Sequence, residues 1–133
     1  MANNPIGAYE SVEKATLEGR GLEAHVLSLS ASMLADLRDH WDVPDRDARL
    51  DEVLRHNQKV WSFFQVEISQ PDNPMPPEIK SNILALSVFI DKRTFEVMAY
   101  PEKEKLDILI AINRNLAAGL RGDAGDGVPA EKP

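Results

Sequence analysis

Three histidines, His25, His40 and His56, are the first residues to weigh for chemistry. A helical zinc pair needs two imidazoles one turn apart, as in His-Glu-x-x-His, and no two of these have that spacing. Each falls on or near a helix surface, where solvation or packing accounts for it better than a metal does. The acidic run Asp45, Asp47, Asp51 and Glu52 offers oxygen ligands. It lacks the glycine and the distal bidentate glutamate with which a calcium loop closes on its ion. A helix start explains it better, with Asp45 as N-cap and Asp47 in the first turn, where the helix dipole favours acids. The Gly-Asp-Ala-Gly-Asp-Gly stretch at 122–127 has no flanking helix and no closing acid, and reads as flexible tail. No nucleophile stands in an elbow motif, and no glycine-rich phosphate loop opens a helix. A triad assembled from distant residues would leave no local mark, but nothing recommends an enzyme. The expectation is no catalytic residue, no cofactor and no metal.

Asn57 and Asn113 are more informative, because each lies on the apolar seam of its own helix. An unpaired amide in such a place costs about 1–3 kcal/mol. The favoured reading is a buried pair, or amides bonded to backbone, that fixes helix register. The alternative is that one of them donates to the backbone of a bound peptide. Phe63, Phe89, Ile108 and Ile112 raise a different question. They sit on three successive helices, outside the stripes that pack those helices together. Scattered apolar residues on a surface are normal. Clustered ones mark an interaction site, often a groove for an amphipathic helix. The four are therefore candidate partner-binding residues, set against ordinary packing with the N-terminal helices.

The elements that position these residues are helices. Pro5 to Leu17 reads as a short helix with Ile6, Tyr9, Val12 and Thr16 on one side, punctuated by Gly19-Arg20-Gly21, since glycine costs about 1 kcal/mol inside a helix. A second helix, Leu22 to about His40, has the seam Leu22, Val26, Leu29, Met33, Leu37 and Trp41. Its Ser28, Ser30, Ala31, Ser32 and Ala35 are small enough to admit a close neighbour. Pro44 ends the element, because the residue before a proline is pushed out of helical geometry. The third helix carries Leu50, Val53, Leu54, Asn57, Trp61, Phe64 and Ile68 as its seam, leaves Phe63 and Val66 off it, and stops at Gln70-Pro71.

A rigid proline-rich connection leads to Pro76–Tyr100, about 36 Å of helix at 1.5 Å per residue. Pro-Pro-Glu is a helix start, and nothing breaks the pattern before Pro101. Ile79, Ile83, Leu86, Ile90 and Val97 form one stripe; Leu84, Val88, Phe95 and Met98 form a second beside it. Two apolar stripes imply neighbours on two sides, which makes this the expected central helix. Phe89 falls on what should be its wet face. A fifth helix, Glu102 to about Leu120, has the seam Leu106, Leu109, Ile110, Asn113, Leu116, Ala117 and Leu120, with Ile108 and Ile112 outside it. The predicted fold is all-α, a single bundle of about five helices over residues 1–121 with the Pro76–Tyr100 helix central, and a flexible tail over 122–133.

Composition narrows the function classes. The 133 residues are 43% hydrophobic, ordinary for one globular domain. Fifteen basic against 22 acidic residues leave a net charge of −7, which argues against nucleic-acid binding through phosphate contacts. Zero cysteine removes disulfides, thiolate chemistry and Cys-based zinc sites. The first residues lack a basic start followed by an apolar run, so no secretory signal is expected. Ile83 to Ile90 is the longest apolar stretch and is far too short to span a bilayer.

Several landmarks together resemble a known family. Ala8-Tyr9, Asn57 followed by Trp61, Gln70-Pro71, Asn73 and Pro76-Pro77-Glu78 are similar to the FlaF family of bacterial flagellar biosynthesis proteins. Leu86-Ser87-Val88-Phe89-Ile90, Thr94, Ile112-Asn113-Arg114-Asn115-Leu116 and Gly119-Leu120 continue the likeness. It covers roughly Ile6 to Leu120; Trp41 to Arg49 and the residues after Arg121 match nothing. The resemblance implies a cytoplasmic, non-enzymatic factor in flagellum assembly that binds flagellin monomers as an export chaperone and promotes their synthesis and secretion. Family members act opposite FlbT, a translational repressor of flagellin messenger RNA. The alternatives are a post-transcriptional regulator contacting that RNA, which the acidic balance disfavours, and an adaptor acting through a FlbT-type repressor. Asn57, Trp61 and Asn113 carry over only as structural landmarks. Partners are expected to be the amphipathic terminal helices of flagellin, and neither nucleic acid nor membrane.

Overall fold

The computed structural model describes residues 5–122, with side chains from residue 21 onward. Among the described residues there are four α-helices and no strand. They are α1 (Pro5–Asp39), α2 (Arg46–Ser69), α3 (Pro77–Ala99) and α4 (Leu106–Arg121), with a 3-10 turn at Lys103–Lys105 leading into α4. The all-α expectation holds; the count of five does not. The two expected N-terminal helices are one, because α1 continues through Gly19-Arg20-Gly21. A glycine weakens a helix without forbidding it. The packing of Ala24 to Leu37 downstream holds the helix against that loss. The stripe Ile6, Tyr9, Val12 and Thr16 and the tail beyond 122 lie outside the residues whose side chains are described.

Local chemistry sets the helix ends. Asp45 takes the N-cap position of α2, but its side chain makes no capping hydrogen bond. Arg46 instead secures the corner, with its backbone N–H on the Val43 carbonyl at 3.1 Å and its guanidinium 4.7 Å from the Trp41 ring centroid. α2 ends where Gln70 turns extended ahead of Pro71. Asn73 then braces the proline-rich connection. Its Nδ2 donates to the Glu67 carbonyl at 3.1 Å, and its Oδ1 accepts the Met75 N–H at 3.0 Å. Pro77 opens α3 and Glu78 sits in its first turn, as the sequence predicts. α4 closes on Gly122, whose φ of 85° is the left-handed conformation of a helix terminus.

α1 is the hub of the bundle. It packs most closely on α4, then on α2, while α3 lies against α2 and only touches α4. The expected seam of this helix is corrected here: Leu22 is 61% exposed, Leu29 is also exposed, and Val26 and Met33 are half-buried. Of that seam Leu37 is buried as expected, and the interior otherwise receives Ala24, Leu27, Ser30, Ala31, Leu34 and Ala35. Helix axes approach as closely as the intervening side chains allow. A helix wedged between two partners therefore turns its small residues inward. Ala24, Ala31 and Ala35 share one face, continued by Arg38, which pairs with Asp107 of α4 at 3.1 Å.

α3 is the second correction, since it is peripheral rather than central. One face is buried, through Ile83, Ser87, Ile90, Thr94 and Val97. The stripe of Leu84, Val88, Phe95 and Met98 faces outward, and so does Ile79. Two of the buried five are polar, yet both are satisfied. Thr94 Oγ1 donates to the Ile90 carbonyl at 2.7 Å, and Ser87 accepts from the Gln65 amide of α2. Small hydroxyl residues, one bonded within α3 and one across to α2, let the two helices lie close together.

Candidate interaction surface

A buried amide network forms the most ordered polar feature of the core. Asn57 Oδ1 accepts from Ser30 Oγ at 2.9 Å and from Asn113 Nδ2 at 2.7 Å; Asn113 Oδ1 accepts from Trp61 Nε1 at 2.8 Å. These four side chains tie α1, α2 and α4 together with almost no exposure. Both asparagines are thus committed to one another, which is the register-fixing arrangement and leaves neither reaching a surface. The remaining donor, Asn57 Nδ2, has no partner, and Trp61 packs edge-on to Phe64 with centroids 5.9 Å apart.

The histidines and acids occupy different places. His25 is exposed, His40 Nδ1 lies 2.9 Å from the Asp36 carbonyl, and His56 is half-buried. Asp47 pairs with Arg46 at 2.9 Å and Asp51 with Arg55 at 2.8 Å, so two acids of the run are paired within their own helix. Arg38, between Asp39 and Asp107, has its pKa raised further by hydrogen bonds to both carboxylates. Among the described residues no group of three His, Cys, Asp or Glu side chains is placed to hold a metal ion. None of their helices is long and apolar enough to cross a membrane.

The four candidate binding residues do not share one setting. Phe63 is 57% exposed and lines a narrow apolar groove between α1 and α2, together with Glu23, Val26, Leu27, Val60 and Phe64. None of the other three lines it. Ile108 is exposed near the start of α4. Phe89 and Ile112 are half-buried and pack against the core, so the wet position expected for Phe89 is corrected. The Arg93 guanidinium lies 5.5 Å from the Phe89 ring centroid and donates to the Lys105 carbonyl at 3.2 Å, covering the ring's outer side.

The larger apolar surface is one that stripe-counting assigns to the interior. Val88 and Phe95 are 64% and 65% exposed, with Leu84 and Met98 exposed on either side of them along α3. Leu22 and Leu29 add a second outward apolar stripe on α1, beside the Phe63 groove. One signal in the sequence distinguishes the two stripes of α3. Residues 84, 88, 91, 95 and 98 include Asp91, whereas 83, 87, 90, 94 and 97 carry no charge. A carboxylate in mid-seam is expensive to bury unpaired, and the uncharged stripe is the one inside.

The family model of flagellar protein FlaF matches residues 5–120, nearly the whole described chain. No solved structure matches the chain, and none of the curated proteins does.

Proposed function

The chain belongs to the FlaF family of flagellar proteins, and on that ground we propose that it binds unassembled flagellin monomers, keeps them soluble for export and thereby supports flagellin synthesis and secretion. The observation that carries this reading is the outward α3 stripe, with Val88 and Phe95 each nearly two-thirds exposed on a chain whose core is filled without them. Large apolar side chains exposed together on one face mark interaction sites on monomeric proteins. Flagellin before assembly has amphipathic terminal helices whose apolar faces lack their filament neighbours. Covering such a face prevents premature polymerisation. Ordering an unfolded segment costs about 2–5 kcal/mol of the gross interaction energy, and apolar stripes on both α1 and α3 give area over which to recover it.

The net charge of −7 favours a protein client over messenger RNA, whose phosphates call for lysine and arginine. On this reading the protein has no catalytic step and works in the cytoplasm, where flagellin is made. The test is calorimetric titration of the full chain with monomeric flagellin and with its separate N- and C-terminal fragments. A complex at micromolar concentration is the expected result. No heat and no co-elution at that concentration overturns the proposal.

A further inference from the structure

The outward face of α3 has the same rhythm as its buried face. Leu84, Val88, Asp91, Phe95 and Met98 follow at intervals of four, three, four and three, which average 3.5 residues. That repeat is the seam of a helix packed lengthwise along another helix, with apolar knobs set into the facing holes. It extends over about 21 Å at 1.5 Å per residue, or four turns. Its central position is Asp91, exposed and, among the described residues, without an ion pair. We infer that this face docks an amphipathic helix of another protein that carries a lysine or arginine midway along its own apolar seam, opposite Asp91. The inference rests on the client-binding reading and names which surface serves it and what the client helix must carry.

Charge selects this occupant over a second copy of the chain. Two α3 helices paired in parallel place Asp91 against Asp91. Paired antiparallel, with seam positions in register, they place Asp91 against Val88 or Phe95 of the other copy. Each arrangement desolvates a carboxylate without a partner, which is costly. A cation at the matching position removes that cost and also fixes register, as single polar seam residues do in coiled coils. A purely apolar helix meets the same penalty as a second copy. The seam thus discriminates as well as attracts.

The test uses two synthetic peptides of three heptads with leucine at the seam positions, identical except for arginine or glutamate at the central one. Each is titrated into the full-length protein below its own self-association concentration. The wild type is expected to bind the arginine peptide at least tenfold more tightly than the glutamate peptide. Asp91→Arg reverses that preference, and Phe95→Lys or Val88→Lys abolishes binding of both with helicity unchanged. Equal affinities, no binding of either peptide, or an unaltered preference in Asp91→Arg overturns the inference. So does a wild-type dimer at micromolar concentration that Phe95→Lys dissociates, since a second copy is then the occupant. Monomeric flagellin added as competitor separates the two readings. A seam that prefers arginine but is not displaced by flagellin keeps the docking face and removes flagellin as its client. Flagellin bound equally by wild type and Phe95→Lys keeps the client and removes the seam.

Discussion

Asn113 Nδ2 donates to Asn57 Oδ1 across 2.7 Å, joining α4 to α2 where neither side chain has any exposure. Ser30 and Trp61 extend the link to a third helix and back to α2. Replacing one asparagine strands its partners. Asn57→Leu leaves the Ser30 hydroxyl and the Asn113 amide without their acceptor, at about 1–3 kcal/mol for each buried group. The expected loss in urea unfolding is about 3 kcal/mol. The double variant Asn57→Leu/Asn113→Leu should lose less than the sum of the singles, with a coupling of at least about 1 kcal/mol. Strict additivity would show that the pair is not the unit of stabilisation.

The two faces of α3 should answer substitution differently. Val88→Ser and Phe95→Ser on the exposed face are expected to change stability by no more than about 0.5 kcal/mol. Ile90→Ala, in the buried face between them, should cost about 2–5 kcal/mol through lost burial and a cavity. Thermal melts of the three variants compare them directly. A large loss at Phe95 would place that face inside.

A glycine inside a helix and one just past a helix end carry opposite predictions. A Cβ added at Gly21, within α1, meets nothing within 4 Å. Gly21→Ala should therefore raise stability by about 1 kcal/mol through helix propensity and a less flexible unfolded chain. Gly122 has equally open space but a φ of +85°. There alanine should destabilise by about 1–2 kcal/mol, because an L side chain strains in the left-handed region. Chemical denaturation of both variants reads the difference in sign.

Close approach of α1 and α4 depends on small side chains. Ala31 is fully buried, and Ala31→Leu adds three carbons where there is no room. A loss of about 1–3 kcal/mol or more is expected from overpacking. If the variant is as stable as wild type, alanine is not what sets the spacing of these helices.

How much of this was legible beforehand differs from helix to helix. On α2, Leu50, Val53, Leu54, Asn57, Trp61, Phe64 and Ile68 are the predicted seam and are also the buried residues. Much of the rest of that helix is charged (Arg49, Asp51, Glu52, Arg55, Lys59), so only one stripe could turn inward. α4 was readable for a similar reason: Leu106, Leu109, Ile110, Asn113 and Ala117 are buried as expected. α1 and α3 each carry two usable stripes, and periodicity measures spacing without choosing between faces. The choice follows from how near the neighbours lie, which favours Ala31 over Leu29 and Ser87 over Val88. Of the candidate site, Phe63 and Ile108 are exposed, whereas Phe89 and Ile112 are half-buried against the core, which helical spacing within one element does not reveal.

The amide network passes through α1, α2 and α4 but bypasses α3. Opening free energies within one native structure range from near zero to the global value, in cooperative segments. α3, held by one apolar face, the Gln65–Ser87 bond and the Arg93 bond to the Lys105 carbonyl at its far end, is the segment whose backbone amides should trade hydrogen for deuterium first. The other three helices should protect theirs until the whole molecule unravels. On the proposed reading, the helix whose outer side would receive a client is then also the one able to swing away while the rest stays folded.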